Sequence, residues 1–210
     1  MMDRAHLTAF GIALFSLCII AAPARADSPL TSTPFHQVFT EDKMVMKAAK
    51  ERVMSFEFGD YLTSPKVSIA QKAALINALG WDPDGQHNGE LFLYYLALKH
   101  RERLDTLELE ELDPHEVFCI GYLTSMDNYQ EPADGLALLQ YARELMPESF
   151  TVALITALAE GQVAMEDGFS SVWPPVQAVL DNEDLEWDLP DPAFTIIMDY
   201  MSLYKQDAQR

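Results

Sequence analysis

Apolar residues recur along this chain at helical spacing, and most of these segments follow a residue that can cap a helix. Proline stands directly after a polar residue at four such places: Ser64-Pro65, Asp113-Pro114, Glu131-Pro132 and Asp191-Pro192. Proline is tolerated in the first turn because its missing N–H would have no intrahelical partner there. The preceding Ser or Asp side chain can accept hydrogen bonds from the amides that follow. These caps, with further ones at Thr40, Asn88 and Ser149, predict helices that begin near residues 41, 65, 89, 114, 132, 149, 174 and 192.

The arrangement of apolar positions divides the predicted helices into two kinds. Most carry a single apolar stripe, and the first stripe runs from Val45 to Phe56. The run Leu91–Leu98 is apolar on all sides, which predicts a helix buried on more than one side. Alternating apolar runs with hairpin turns are absent, so strands are not required anywhere. Starts of every second helix lie about 35 to 49 residues apart, a rhythm typical of stacked helical hairpins.

One hairpin resembles a known repeat family. The segment Gly135–Pro147 is similar to the second helix of a tetratricopeptide repeat, with Gly135 and Ala142 at the positions of its small residues. The segment Phe118–Tyr122 is similar to the Leu-Gly step of the first helix, although the spacing from Gly121 to Gly135 is two residues longer than in the motif. The resemblance covers this hairpin alone. It implies an α-solenoid with a groove for a peptide or protein, and it carries over no catalytic residues.

The fold expected from these observations is all-α, built of stacked antiparallel helical hairpins. It is either a solenoid like the tetratricopeptide repeats or an irregular helical bundle. In the solenoid case, a partner groove would be lined by aromatic side chains, for which the candidates are Tyr122, Tyr129 and Tyr141. Aromatic residues at helical spacing also fill cores, so both interpretations remain open.

The N-terminal segment indicates export. Residues 7–22 form an apolar run that ends at Pro23 and is followed by Ala24-Arg25-Ala26, a cleavage signature. We interpret residues 1–26 as a bacterial secretory signal peptide cleaved after Ala26, which delivers the chain to the periplasm or the medium. The alternative is an uncleaved anchor, but about 16 residues are short for a membrane span. After cleavage we expect no membrane-spanning segment.

The rest of the chain reads as one domain. Residues 27–39 are rich in Pro, Ser and Thr and predict a flexible leader, residues 40–206 a single all-helical domain, and residues 207–210 a tail. Cys119 is the one cysteine left after cleavage, so an intramolecular disulfide is impossible. Its apolar neighbours predict a buried small side chain, with an intermolecular disulfide as the alternative.

Charge is distributed unevenly between the two halves of the chain. The whole sequence has 14 Lys and Arg against 33 Asp and Glu, a net charge of -19. Residues 27–103 hold 9 basic and 10 acidic residues, whereas residues 104–200 hold 1 basic and 21 acidic residues. A nucleic-acid binder is therefore excluded, because no basic stripe can displace counterions from phosphates. The acidic half could attract a basic partner or could serve only solvation.

Motifs that carry chemistry are scarce. The chain has no nucleophile elbow, HExxH motif, CxxC motif or P-loop. Asp82, Asp84 and Glu90 cluster hard oxygen donors of the kind that Ca²⁺ prefers, but Gly80 stands where an EF-hand loop needs a ligand. The alternative is a plain Asp-turn that leads into a helix capped by Asn88.

The function expected from the sequence is a protein or peptide interaction module in the cell envelope. We identify no catalytic or cofactor-binding residue, and Ca²⁺ is the one cofactor that the sequence suggests. Two alternatives stay open. One is a cation-dependent or carbohydrate-directed enzyme that uses some of the acidic residues. The other is a small-ligand binding protein with a pocket between helices.

Overall fold

The computed structural model describes residues 28–208, and within them the protein is all-α, as predicted. No strand is present in this range, although one isolated bridge joins Ser149 to Glu186. The predicted signal peptide, residues 1–26, lies outside the described residues. The helices are α1 Lys43–Glu51, α2 Phe56–Leu62, α3 Ile69–Leu79, α4 Asn88–His100, α5 Pro114–Asp127, α6 Ala133–Leu145, α7 Phe150–Ala164, α8 Trp173–Leu180 and α9 Asp191–Asp207.

Side-chain caps explain where several helices begin. Asp113 caps α5 and forms the predicted capping box with Glu116. Ser149 Oγ accepts from Val152 N at 3.2 Å and starts α7. The predicted start at residue 65 is wrong, because α3 begins at Ile69 after its own capping box, built by Ser68 with Gln71.

The first predicted stripe is two helices. α1 ends at Glu51, and Arg52 adopts a left-handed conformation with φ of 57° that turns the chain. Ser55 then caps α2 by accepting a hydrogen bond from Phe58 N. The prediction of one apolar stripe from Val45 to Phe56 is therefore wrong, and its second part lies on a different surface.

The core is organised around α3. Ten of its eleven residues are buried, and it contacts α1, α5 and α7. α9 returns to contact the 3₁₀ turn Phe35–Val38 near the beginning of the described chain. An open solenoid keeps its first and last units apart, so these contacts favour the irregular bundle. Among residues 28–208, no helix combines the length and apolar content that a membrane crossing requires.

The predicted flexible leader is wrong for residues 28–39, which pack into the fold. Leu30 and Phe35 are fully buried and belong to the hydrophobic core. Asn77, a buried residue of α3, donates from Nδ2 to Thr33 O at 3.1 Å and accepts from His36 N at 3.1 Å. These two apolar side chains and the Asn77 amide help to hold the Pro- and Thr-rich segment in the fold.

The backbones of α5 and α6 approach each other closely at two glycines. A Cβ placed on Gly121 would lie 2.8 Å from Leu139 N, and one on Gly135 would lie 2.5 Å from Ser125 N. Only glycine allows backbones to approach so closely. These two glycines also carry the tetratricopeptide resemblance, which itself stays a prediction.

Candidate docking surface

The helix α4 exposes one apolar side to solvent. Phe92 and Leu96 are fully buried, but Leu91, Tyr94 and Leu98 are 41%, 48% and 65% exposed. These three residues lie at positions i, i+3 and i+7 and therefore share one helix face. The prediction that this helix is buried on more than one side is wrong, since α4 lies at the edge of the bundle with an apolar side uncovered.

Residues from the α1–α2 connection extend this exposed surface. Val53 and Phe56 are 58% and 67% exposed. The Phe56 ring meets the Tyr95 ring of α4 edge-on, with 5.9 Å between centroids. Val53 lines a cavity that Leu91 also lines. We call the surface formed by Val53, Phe56, Leu91, Tyr94 and Leu98 the α4 face.

A cavity of about 420 Å³ opens at the N-terminal end of the α4 face. Its walls are Arg52, Val53, Asp82, Gly85, Gln86, His87, Asn88 and Leu91. Asn88 holds the two sides of the cavity together: its Oδ1 accepts from Met54 N at 2.7 Å, and its Nδ2 donates to Gln86 Oε1 at 2.8 Å. The Arg52 guanidinium donates to the Trp81 carbonyl from the same region. These hydrogen bonds connect the walls of the cavity, and the one from Met54 N to Asn88 is buried.

Asp127 of α5 anchors the loop that forms one wall of this cavity. Its Oδ2 accepts from Gly89 N at 2.6 Å, and its backbone carbonyl accepts from Gln86 N at 3.2 Å. The other carboxylate oxygen is buried with no hydrogen-bond partner. Burial raises the pKa of Asp127 above its ordinary value, although the Gly89 amide opposes this shift. Asp127 therefore holds the loop in place although burial of its carboxylate is electrostatically unfavourable.

The predicted calcium ligands are not brought together. Asp82 Oδ1 accepts from Asp84 N at 3.0 Å, which is the Asp-turn that the sequence offered as the alternative. Glu90 lies in the first turn of α4 and faces His87, with 3.7 Å between Oε2 and Nδ1. Within residues 28–208 no three His, Cys, Asp or Glu side chains cluster at metal-binding distance. Asn88 does not cap α4, because its side chain is used by the α1–α2 connection.

The three tyrosines predicted for a partner groove lie apart. Tyr122 is fully buried, and its hydroxyl accepts from Asn77 Nδ2 at 3.3 Å, so it cannot line an open groove. Tyr129 is half-buried and packs against Trp81, with 4.7 Å between ring centroids. Tyr141 is half-buried against the core. Phe56 and Tyr94, which sequence reasoning did not propose for a partner surface, are exposed aromatic residues.

Exposed acidic residues dominate residues 104–200. Seventeen of the 21 acidic residues there are exposed, and within the described chain a salt bridge reaches only Asp105 and buried Glu116. Glu116 accepts from Lys99 Nζ at 2.7 Å and contacts His100 Nε2 at 3.0 Å, so both bases come from the end of α4. Basic residues therefore border the C-terminal end of the α4 face, whereas the acidic residues lie on later elements.

A second concavity, of about 720 Å³, lies among the N-terminal ends of α1 and α3 and the segment before α9. Its two aspartates are already bonded within the protein. Asp42 accepts from Met44 N at 3.0 Å and from Gln71 Nε2 at 3.0 Å. Asp188 accepts from Thr151 N at 2.7 Å and from the Ser149 hydroxyl at 2.6 Å. These carboxylates cap helices, which leaves few lone pairs to orient a ligand.

A pair formed by one buried lysine and one half-buried histidine lies between α3 and α5. Lys72 is 2% exposed, and its Nζ is 2.9 Å from His115 Nδ1. Burial lowers the pKa of both groups, and Lys72 lowers the pKa of His115 further. A neutral imidazole can accept this hydrogen bond from Lys72 Nζ. Because this lysine is buried, it does not present a nucleophile to solvent.

Comparison with known proteins adds no relative. No family model matches the chain, and neither the curated proteins nor the solved structures include a significantly similar chain. The docking surface therefore has to be judged on its own geometry.

Proposed function

We propose that this protein is an exported interaction module that docks another protein chain through the α4 face. The observation that carries the proposal is the exposure of five large apolar side chains on adjoining segments, between 41% and 67% each. Contiguous exposed apolar patches on soluble proteins mark interaction sites. The spacing of Leu91, Tyr94 and Leu98 along α4 is that of the anchors by which a helix enters a partner's groove.

The composition of α4 supports this proposal. A helix that is apolar on all sides is stable in water when most of its surface is covered. The bundle covers only the side that carries Phe92, Tyr95 and Leu96. A docked chain would cover Leu91, Tyr94 and Leu98. All apolar sides of α4 would then be buried, as its sequence predicts.

Affinity capture from a cell-envelope extract tests the proposal. The wild-type protein and a Phe56→Asp variant serve as baits, because Phe56 is 67% exposed and a charge there leaves the core intact. The matched control is Leu203→Asp, since Leu203 of α9 is also exposed, at 54%, and lies outside the α4 face. We expect Phe56→Asp to abolish capture and Leu203→Asp to retain it. Equal capture by all three baits would contradict the proposal.

Export is the second part of the proposal, and it rests on the sequence of residues 1–26. If the signal peptide is cleaved after Ala26, the chain released by osmotic shock has Asp27 as its first residue. Intact-mass measurement of that fraction gives the answer directly. A chain that keeps residues 1–26 and stays with the membrane would contradict this part alone.

A basic partner is our proposal for the acidic half, residues 104–200. Exposed carboxylates that form no salt bridge create a strong negative potential. Capture through this half would weaken as the salt concentration rises, because salt screens the attraction between exposed charges. The Debye length is about 8 Å at physiological ionic strength and becomes shorter as salt is added. Capture that is insensitive to salt would leave the acidic residues a solvation role only.

A further inference from the structure

We infer that the α4 face docks a second copy of this chain, with the two α4 helices antiparallel about a two-fold axis. This inference rests on the proposed function, since it names the partner of the same surface. A two-fold interface requires a surface that is complementary to itself. The α4 face meets this requirement in its charge order, in its shape and in its place on the molecule.

Charge order along α4 is self-complementary. Glu90 lies in the first turn, and Arg101 follows the last residue of the helix. Two α4 helices centred between residues 94 and 95 and running antiparallel place Leu91 opposite Leu98 of the second copy. At 1.5 Å rise per residue, Glu90 then lies within about 3 Å along the axis of the level of the second copy's Arg101. Two opposite-charge pairs therefore flank the apolar contacts.

Shape is self-complementary as well. Leu98, at 65% exposed, is the most prominent side chain on α4. The cavity of about 420 Å³ adjoins Leu91 at the other end of the same stripe. The antiparallel arrangement brings the Leu98 side chain of each copy to the cavity of the other. Each chain thus contributes one Leu98 side chain and one cavity, and the two-fold axis makes both contacts identical, as isologous interfaces require.

The charge of its surroundings favours the α4 face over the acidic half of the chain for self-association. The α4 face lies within residues 27–103, which carry 9 basic and 10 acidic residues. Residues 104–200 expose 17 acidic residues and contain a single Lys or Arg, so association of two copies through this half would bring many like charges together. Like charges across an interface are repulsive, so a second copy is accepted most readily on the α4 face.

Sedimentation velocity between about 1 μM and about 1 mM, the span of weak specific affinities, tests the inference. We expect a monomer–dimer equilibrium that Leu98→Asp weakens at least tenfold and Leu203→Asp leaves unchanged. Far-UV circular dichroism confirms that both variants fold. A wild-type chain that stays monomeric throughout would overturn the inference, as would a dimer that Leu98→Asp leaves intact.

Disulfide trapping tests the antiparallel register. In a Cys18→Ser background the native thiol is Cys119, which is buried. Position 94 lies next to the two-fold axis, so a Tyr94→Cys chain should form a disulfide with the same cysteine of the second copy. Leu98→Cys alone should not, because about 10 Å of helix rise separates the two copies of this residue, whereas mixed Leu91→Cys and Leu98→Cys chains should cross-link. Trapping of Leu98→Cys with itself would overturn the register.

Charge exchange provides an independent readout. Glu90→Arg and Arg101→Glu should each weaken the dimer, and the two changes together should restore it. Failure of the double variant to recover would overturn the antiparallel pairing. If the protein is monomeric but still captures a different chain through Phe56, the second copy is overturned as the partner and the proposed function stands. If the protein neither self-associates nor captures another chain, both the inference and the proposed function are overturned.

Discussion

Replacement of Gly135 by Ala gives a sharp test of the packing, because two physical effects oppose each other. Gly135 lies inside α6, where alanine normally stabilises a helix by about 0.5–1 kcal/mol relative to glycine. The new Cβ, however, would lie 2.2 Å from Ser125 Oγ, 2.5 Å from Ser125 N and 2.8 Å from Gly121 O. Ser125 is itself buried and donates to Gly121 O at 2.9 Å.

Relief of this clash requires α5 and α6 to separate, since two of the three atoms belong to the α5 backbone. Overpacking of this kind costs about 1–3 kcal/mol. The middle of this range, less the gain in helix propensity, leaves an expected net loss of about 1 kcal/mol. For a domain of this size the loss lowers the melting temperature by about 2–4 °C.

Urea unfolding followed by far-UV circular dichroism measures the effect, with an unchanged m-value as evidence that the denatured state is unaltered. Ala137→Gly is the matched control, because Ala137 is exposed on the same helix and reports propensity alone. That variant should lose about 1 kcal/mol. A Gly135→Ala protein as stable as the wild type, or more stable, would refute the close approach of α5 and α6.

Three further predictions follow from buried groups. Phe35→Ala should cost about 3–5 kcal/mol of stability in urea unfolding, whereas a flexible leader would show no change. Burial raises the pKa of Asp127, so the native state holds its proton more tightly and this residue's contribution to stability falls as pH rises above about 4. The stability difference between Asp127→Asn and wild type, followed from pH 3 to pH 7, should therefore move in favour of the variant, and a flat difference would contradict this. Burial raises the pKa of Cys119 to about 12, so this thiol should resist thiol reagents at neutral pH until urea is added; rapid labelling of the native protein would be the contrary result.

The helical architecture was predictable because its signals are local. A capping side chain and the amides that it satisfies lie within three residues of each other, so Asp113 with Glu116 identifies the start of α5 from sequence alone. The burial of Cys119 was predictable for a similar reason, since its immediate neighbours are apolar. Both expectations are confirmed.

The errors arose where tertiary contacts outweigh local pattern. Arg52 in a left-handed conformation divides α1 from α2, and the carbonyls of Leu79 and Trp81 that hold its guanidinium lie almost thirty residues away. The leader is held by Asn77 and by the burial of Phe35. A composition rich in Pro, Ser and Thr does not reveal such distant partners.

The candidate site was hidden for a related reason. Apolar residues on every side of α4 predicted a buried helix, but sequence cannot tell whether this chain or another chain provides the cover. Tyr122 and Tyr129 illustrate the converse, because aromatic residues suggested for a groove serve the core and a ring contact with Trp81. Only the arrangement of the whole bundle shows that Leu98 and Phe56 are left uncovered.

Site-specific photocross-linking in living cells shows directly whether the α4 face docks a protein chain. A photoreactive amino acid at position 98 samples the face, and the same residue at position 203 samples an equally accessible control site. We expect a discrete adduct from position 98, at twice the chain mass if the partner is a second copy, and none from position 203. Equal labelling at both positions, or no adduct from position 98, would contradict it.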